Sequence, residues 1–83
     1  MSVQVVHEPA RSRFVAVVDG STAQLTYELA PGRVAMTHTV VPSQIGGRGV
    51  AGELTAAAVA WARGQQLVID PQCSYVRDWL ARH

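Results

Sequence analysis

The hydrophobic period of this 83-residue chain changes once, near Gly46, and that change limits what the chain can fold into. Upstream, apolar residues recur at every second position. Thr22–Leu29 alternates cleanly, with Ala23, Leu25, Tyr27 and Leu29 on one face and Thr22, Gln24, Thr26 and Glu28 on the other. Val3–His7 and Arg13–Val18 are further strand-like runs, and Asp19-Gly20 forms a two-residue hairpin turn because both positions tolerate positive φ. Pro31-Gly32 supplies the next turn, and Arg33–Val41 a further strand that stops at Pro42. Downstream, Val50, Leu54, Ala57, Ala58 and Trp61 recur at helical spacing across an alanine-rich segment, Gly49–Arg63. Gly64 is placed to cap that helix. Leu67-Val68-Ile69 reads as a buried strand halted by Asp70-Pro71, and Ser74 as the cap of a last helix, Tyr75–Arg82.

The order is therefore β-β-β-β-α-β-α. An antiparallel meander feeds a strand–helix–strand unit, which is expected to be a right-handed crossover joining two parallel strands. The fold class is α/β of the mixed-sheet, α+β kind, closed by a C-terminal helix. Residues 1–83 read as one domain, small enough to bury only about 60% of the surface its unfolded form exposes. Sheets of this kind bind ligands beyond the carboxyl ends of their parallel strands.

Charge and cysteine usage narrow the function. The formal net charge is +1, and all seven basic residues are arginines scattered from Arg11 to Arg82. A nucleic-acid partner normally requires a basic stripe, so none is expected. The lone Cys73 excludes an internal disulfide framework and a multi-cysteine zinc site, and no metal is expected. The opening MSVQVVHEP lacks the charged and apolar regions of a secretory signal, and no run approaches the ~20 apolar residues of a membrane span. A soluble, cytoplasmic protein without a membrane partner is the expectation.

Gln44-Ile45-Gly46-Gly47-Arg48-Gly49-Val50-Ala51 lies between a strand and the first turn of a helix. Glycines there let several amides converge, and the helix start adds positive partial charge, which together favour a phosphate or pyrophosphate. A flexible connector is the other reading of the same residues, and composition does not separate the two. Gly47-x-Gly49-x-x-Gly52, with Asp70 further on, also satisfies G-x-G-x-x-G. The five residues between strand and motif, the antiparallel hairpins upstream and the short chain all speak against a dinucleotide-binding fold.

Gln44-x-x-Gly47-x-Gly49/Ala51 resembles the acetyl-CoA signature of the GNAT acyltransferases, Gln/Arg-x-x-Gly-x-Gly/Ala. His38-Thr39-Val40-Val41-Pro42 before it, and Pro71-Gln72-Cys73-Ser74-Tyr75-Val76 after the next strand, resemble a compact single-domain branch of that superfamily. The resemblance implies that the backbone of Thr39, Val40 and Val41 pairs with the pantetheine arm. It also implies that Gln44 and the loop Gly46, Gly47, Arg48, Gly49, Val50 and Ala51 hold the pyrophosphate of acetyl-CoA. The additional N-terminal helices with which ordinary members build the acceptor pocket have no counterpart in this sequence.

Three side chains are candidates for chemistry, each with a packing alternative. Cys73 precedes the last helix, where a thiolate is stabilised, and Arg77 lies one turn on; the alternative is a small buried hydrophobe. The resemblance implies a cysteine beside the thioester. His38, read as sharing a face with Val34, Met36 and Val40, is either a general base or a packed core residue. Tyr75 is either the acid that protonates the leaving thiolate, as in GNAT enzymes, or an anchor for the last helix. Trp61 and Trp79 are expected to be packing anchors, and His7 and His83 solvated. The expected function is transfer of acetyl from acetyl-CoA to a primary amine, borne by a small molecule or a protein. A non-catalytic CoA-binding or interaction module is the alternative.

Overall fold

Residues 3–83 are described by the computed structural model of the chain. Its elements run β1 (Val5–Glu8), β2 (Arg13–Val18), β3 (Ser21–Ala30), β4 (Arg33–Val40), α1 (Val50–Gly64), β5 (Val68–Pro71) and α2 (Ser74–Arg82). Short 3-10 turns occupy Pro9–Arg11 and Ser43–Ile45. The five strands form one sheet in sequence order, antiparallel from β1 to β4 and parallel between β4 and β5. The mixed sheet read from the sequence is thus the sheet observed. Asp19 and Gly20 take φ values of 49° and 78°, the paired positive dihedrals that a tight hairpin turn requires.

One face of the sheet is covered by both helices. Ala16, Ala23, Leu25, Val34 and Met36 meet Leu54, Ala58, Val59 and Ala62 of α1, and Val76 of α2 joins the same core. Small residues dominate on both sides, at Ala16 and Ala23 in the sheet and Ala58 and Ala62 in the helix. The buried Thr55 hydroxyl donates to the Ala51 carbonyl at 2.8 Å, so it adds no unsatisfied polar group. The opposite face carries no helix and leaves Val6, Val17 and Val40 exposed.

Two irregularities in β4 matter for everything that follows. Thr26 pairs with His38 but Tyr27 pairs with Met36, so Thr37 is an extra residue, a β-bulge. Thr37 and His38 therefore both oppose Thr26 on the helix-free face. Beyond the bulge the alternation is inverted: Thr39, opposite the buried Leu25, faces the helices, and Val40 faces away. The expectation that His38 shares a face with Val34 and Met36 is corrected by this bulge; it shares one only with Val40. The second irregularity is that β5 pairs with β4 only as far as Met36↔Pro71. The amides of Gln72 and Cys73 then both bond the Met36 carbonyl, at 3.1 and 3.0 Å, and the chain turns away into α2.

Other local readings are adjusted by neighbours. Leu29 is 59% exposed, because β2 ends opposite Thr26 and the tip of β3 pairs with β4 alone. Gly64 is the last residue of α1, and Gln66, with φ 58°, supplies the left-handed turn that follows. Cys73 rather than Ser74 is the residue at the cap position of α2. His83 is exposed, as expected, although its ring stacks on Trp79.

His7 is not solvated. It is stacked on Phe14 with centroids 4.1 Å apart and meets the Trp61 ring edge-on at 4.9 Å. Its Nε2 lies 2.7 Å from the Tyr27 hydroxyl. The β1–β2 register, which sets His7 opposite Phe14, creates this cluster. Burial holds the His7 imidazole below its ordinary pKa of 6.5. The unfolded chain then takes up the proton more readily, so the stability due to the neutral ring is present above pH 6.5 and lost as pH falls below it. Urea midpoints should accordingly decline between pH 7.5 and 5.5, and His7→Phe, which keeps the stack without the titration, should flatten that decline. An unchanged slope in the variant would remove His7 as its cause.

Candidate functional site

The parting of β4 and β5 opens a notch in the sheet. Past Met36, β4 runs on to Val40 with no strand on its β5 side, while α2 begins opposite at Ser74. The β4 backbone from Thr37 onward is thereby left available to a ligand lying along it, since a strand without a neighbour presents unpaired N–H and C=O groups.

On the helix side, the notch leads into a cleft of about 280 Å³. Val41, Gly46, Gly47, Gly49, Ala51 and Tyr75 are among its lining residues. Gly47 and Gly49 take φ values of 78° and 77°, and Gly49 is the N-cap of α1. The loop therefore needs glycine at both positions for its conformation, and the free amides of the first turn of α1 are at the cleft. Gly52, in the first turn of α1, has a role that the sequence reading did not assign. A Cβ there would stand 3.4 Å from the Tyr75 hydroxyl, so glycine lets α2 bring that hydroxyl against α1 at the cleft. Gln44 is exposed on the 3-10 turn and outside the cleft lining. The Arg48 guanidinium pairs instead with Asp19 in the β2–β3 turn, tying the glycine loop to that hairpin.

On the helix-free side lies a second, polar cavity of about 540 Å³. Thr26 and Glu28 of β3, Thr37 and His38 of β4, Arg11 and Gln72 contribute to its wall. Thr37 donates to the Thr26 carbonyl at 3.2 Å, and the two threonine hydroxyls are 2.9 Å apart, which fixes the bulge in place. The predicted chemical groups are therefore divided: His38 belongs to the polar cavity, and Tyr75 to the glycine cleft.

Cys73 stands on the helix side of β4, half-buried against the core. Its thiol donates to Thr39 Oγ1 at 3.4 Å, a contact made possible by the inverted alternation beyond the bulge. Burial pushes the Cys73 thiol up. The Thr39 hydroxyl and the amides of Val76, Tyr75 and Thr39 outweigh it, and the net shift is downward. Among the described residues, no group of three or more His, Cys, Asp or Glu is placed to hold a metal ion. Nor is any helix there long and apolar enough to cross a membrane.

A meander, a bulged strand parting from its parallel neighbour, and a glycine loop opening a helix at that notch are consistent with a GNAT-like fold. The family comparison agrees. Residues 13–83 match the model of the GCN5-related N-acetyl-transferase family, and the chain belongs to that family. Protein NATD1 of Gallus gallus is 31% identical to it over 81 residues, 94% of this chain and 74% of that protein. Domains of this family generally use acetyl-CoA as co-substrate and require an acceptor for the acetyl group.

The side-chain contact of Thr39 with Cys73, the use of Gly52 and the polar cavity escaped sequence reasoning because each depends on a long-range partner. Thr39 is paired with Cys73 only once the bulge has turned it inward. That pairing is open to test through the pH dependence of Cys73 alkylation by iodoacetamide. The rate should rise with a midpoint below that of an unperturbed thiol, and Thr39→Val should move the midpoint upward. Identical midpoints in the two proteins would contradict a role for Thr39 in stabilising the thiolate.

Proposed function

We propose that this protein is an acetyl-CoA-dependent N-acetyltransferase that acts on a primary amine. The observation that carries the reading is the notch between β4 and β5, with a glycine cleft on one side and a separate polar cavity on the other. A two-substrate transfer needs this arrangement: a donor arm lying along one strand, and an acceptor approaching from the other face of the sheet.

In this mechanism the loop Gly46–Ala51 holds the pyrophosphate, and the backbone from Thr39 to Val41, at the end of β4 and just beyond it, pairs with the pantetheine arm. Glycine at 47 and 49 allows the backbone to approach the phosphates closely. The thioester carbonyl would lie at the notch, where β4 amides stabilise the oxyanion. The acceptor enters through the polar cavity as an ammonium ion and loses a proton to His38, directly or through a water. The amine nitrogen attacks the carbonyl carbon, the C–N bond forms and the C–S bond breaks. The departing thiolate takes a proton from Tyr75 or Cys73 on the helix side, the acylated nitrogen sheds its second proton to water, and the acid is reprotonated from water. Tyr75 lines the glycine cleft itself, whereas the Cys73 thiol is engaged with Thr39 beside it, which favours Tyr75 as the acid. A thiolate-rich Cys73 would instead suit a route through an acetyl-cysteine.

Gly49→Val would force a β-branched residue into the left-handed region and wall off the loop. CoA affinity should fall at least ~10-fold, about 1.4 kcal/mol, in a protein that still unfolds cooperatively. Undiminished affinity, read by calorimetry, would remove the loop from phosphate binding. His38→Ala should lower the acetylation rate by about 10²-fold with CoA affinity retained, because its exposed side chain lies outside the cleft. Full activity in that variant would exclude His38 as the base. Tight CoA binding without turnover on any amine would convert the reading to a non-catalytic CoA-binding module.

A further inference from the structure

The polar cavity carries information about its occupant beyond a bare amine. Glu28 projects from β3 into it, and among the described residues no cation pairs with that carboxylate. Arg11, on the 3-10 turn before β2, reaches the same cavity and likewise lacks an acidic partner there. The neighbouring charges are already spent: Arg13 is paired with Glu8, and Arg33 with Asp70. The cavity thus presents one uncommitted anion and one uncommitted cation, with the Thr26 and Thr37 hydroxyls and His38 between strands.

Their arrangement has a direction. Gln72 and His38 mark the end beside the notch, and Arg11 marks the far end, across β3. Adjacent strands lie about 4.8 Å apart, so β4 and the turn before β2 are separated by roughly 10 Å. An ammonium group at the His38 end, with Glu28 on the intervening strand, leaves Arg11 facing whatever the amine carries several bonds away. A diamine would set a second ammonium against the guanidinium, whereas a carboxylate would form a charge-assisted pair with it.

We infer that the acceptor is an ω-amino acid, an amine bearing a carboxylate several carbons away, with Arg11 as the residue that selects the carboxylate. This rests on the acetyl-transfer reading for the chemistry but not for the binding. Acetylation of 6-aminohexanoate, 1-aminohexane and 1,5-diaminopentane by the full chain, each as kcat/KM, tests it. The expected order has 6-aminohexanoate at least ~10-fold ahead of 1-aminohexane and the diamine last, as one charge-assisted pair is worth about 1.5 kcal/mol or more. Arg11→Ala should collapse the 6-aminohexanoate preference, and Arg11→Lys should restore part of it. A parallel titration of the CoA-loaded protein, followed by the His38 ring resonances, reads binding without chemistry. If no amine turns over but 6-aminohexanoate binds saturably and loses affinity in Arg11→Ala, the site stands and the transfer reading fails. Equal use of the amines, a preference for the diamine, a preference unaffected by Arg11→Ala, or no perturbation of His38 by any of them would overturn the inference.

Discussion

The extra residue in β4 is the constraint from which the rest of the site follows. Thr37 is accommodated because its hydroxyl bonds the Thr26 hydroxyl and donates to the Thr26 carbonyl, replacing part of the interrupted ladder. Three consequences come from that one insertion. His38 is turned to the helix-free face, Thr39 is turned toward Cys73, and the interruption of β4 falls where β5 leaves it. Without the bulge, His38 would enter the core beside Met36 and Thr39 would face solvent. The polar cavity would then lose His38, and the helix side its contact between Thr39 and Cys73.

The rest of the fold holds that strand in place with little material. A single helix, α1, covers β2 and β3, and its small side chains meet equally small ones at Ala16 and Ala23. The aromatic cluster of His7, Phe14, Tyr27 and Trp61 ties the edge strand β1 to α1, at the side of the sheet away from the notch. At the notch itself the closing contact is the Met36 carbonyl, which accepts from two successive amides and ends β5. The aromatic cluster thus lies toward one edge of the sheet and the notch at the other. The proposed function draws on the notch edge.

Much of the architecture was legible in the sequence. The alternation of Thr22–Leu29, the Asp19-Gly20 turn and the shift to helical spacing after Gly49 are local signals, and each specifies its element directly. The place of the glycine loop, between β4 and α1, was legible for the same reason. The position of His38 was not, because a bulge is a relation between two strands and Thr37 is an ordinary strand residue. The burial of His7 and the pairing of Arg48 with Asp19 were hidden likewise, each depending on a partner distant in the chain. Gly52 was visible as a glycine, but its use, making room for Tyr75, required the packing of α2 on α1.

The central claim is that the notch and the glycine cleft together form a coenzyme A site. Amide chemical shifts of the labelled protein during titration with CoA test it most directly. The account predicts saturable perturbations concentrated at Thr39–Val41, Gly46–Ala51 and Cys73–Tyr75, with β1 and β2 nearly silent. Saturable shifts centred elsewhere, or no saturable shifts at all, would contradict it.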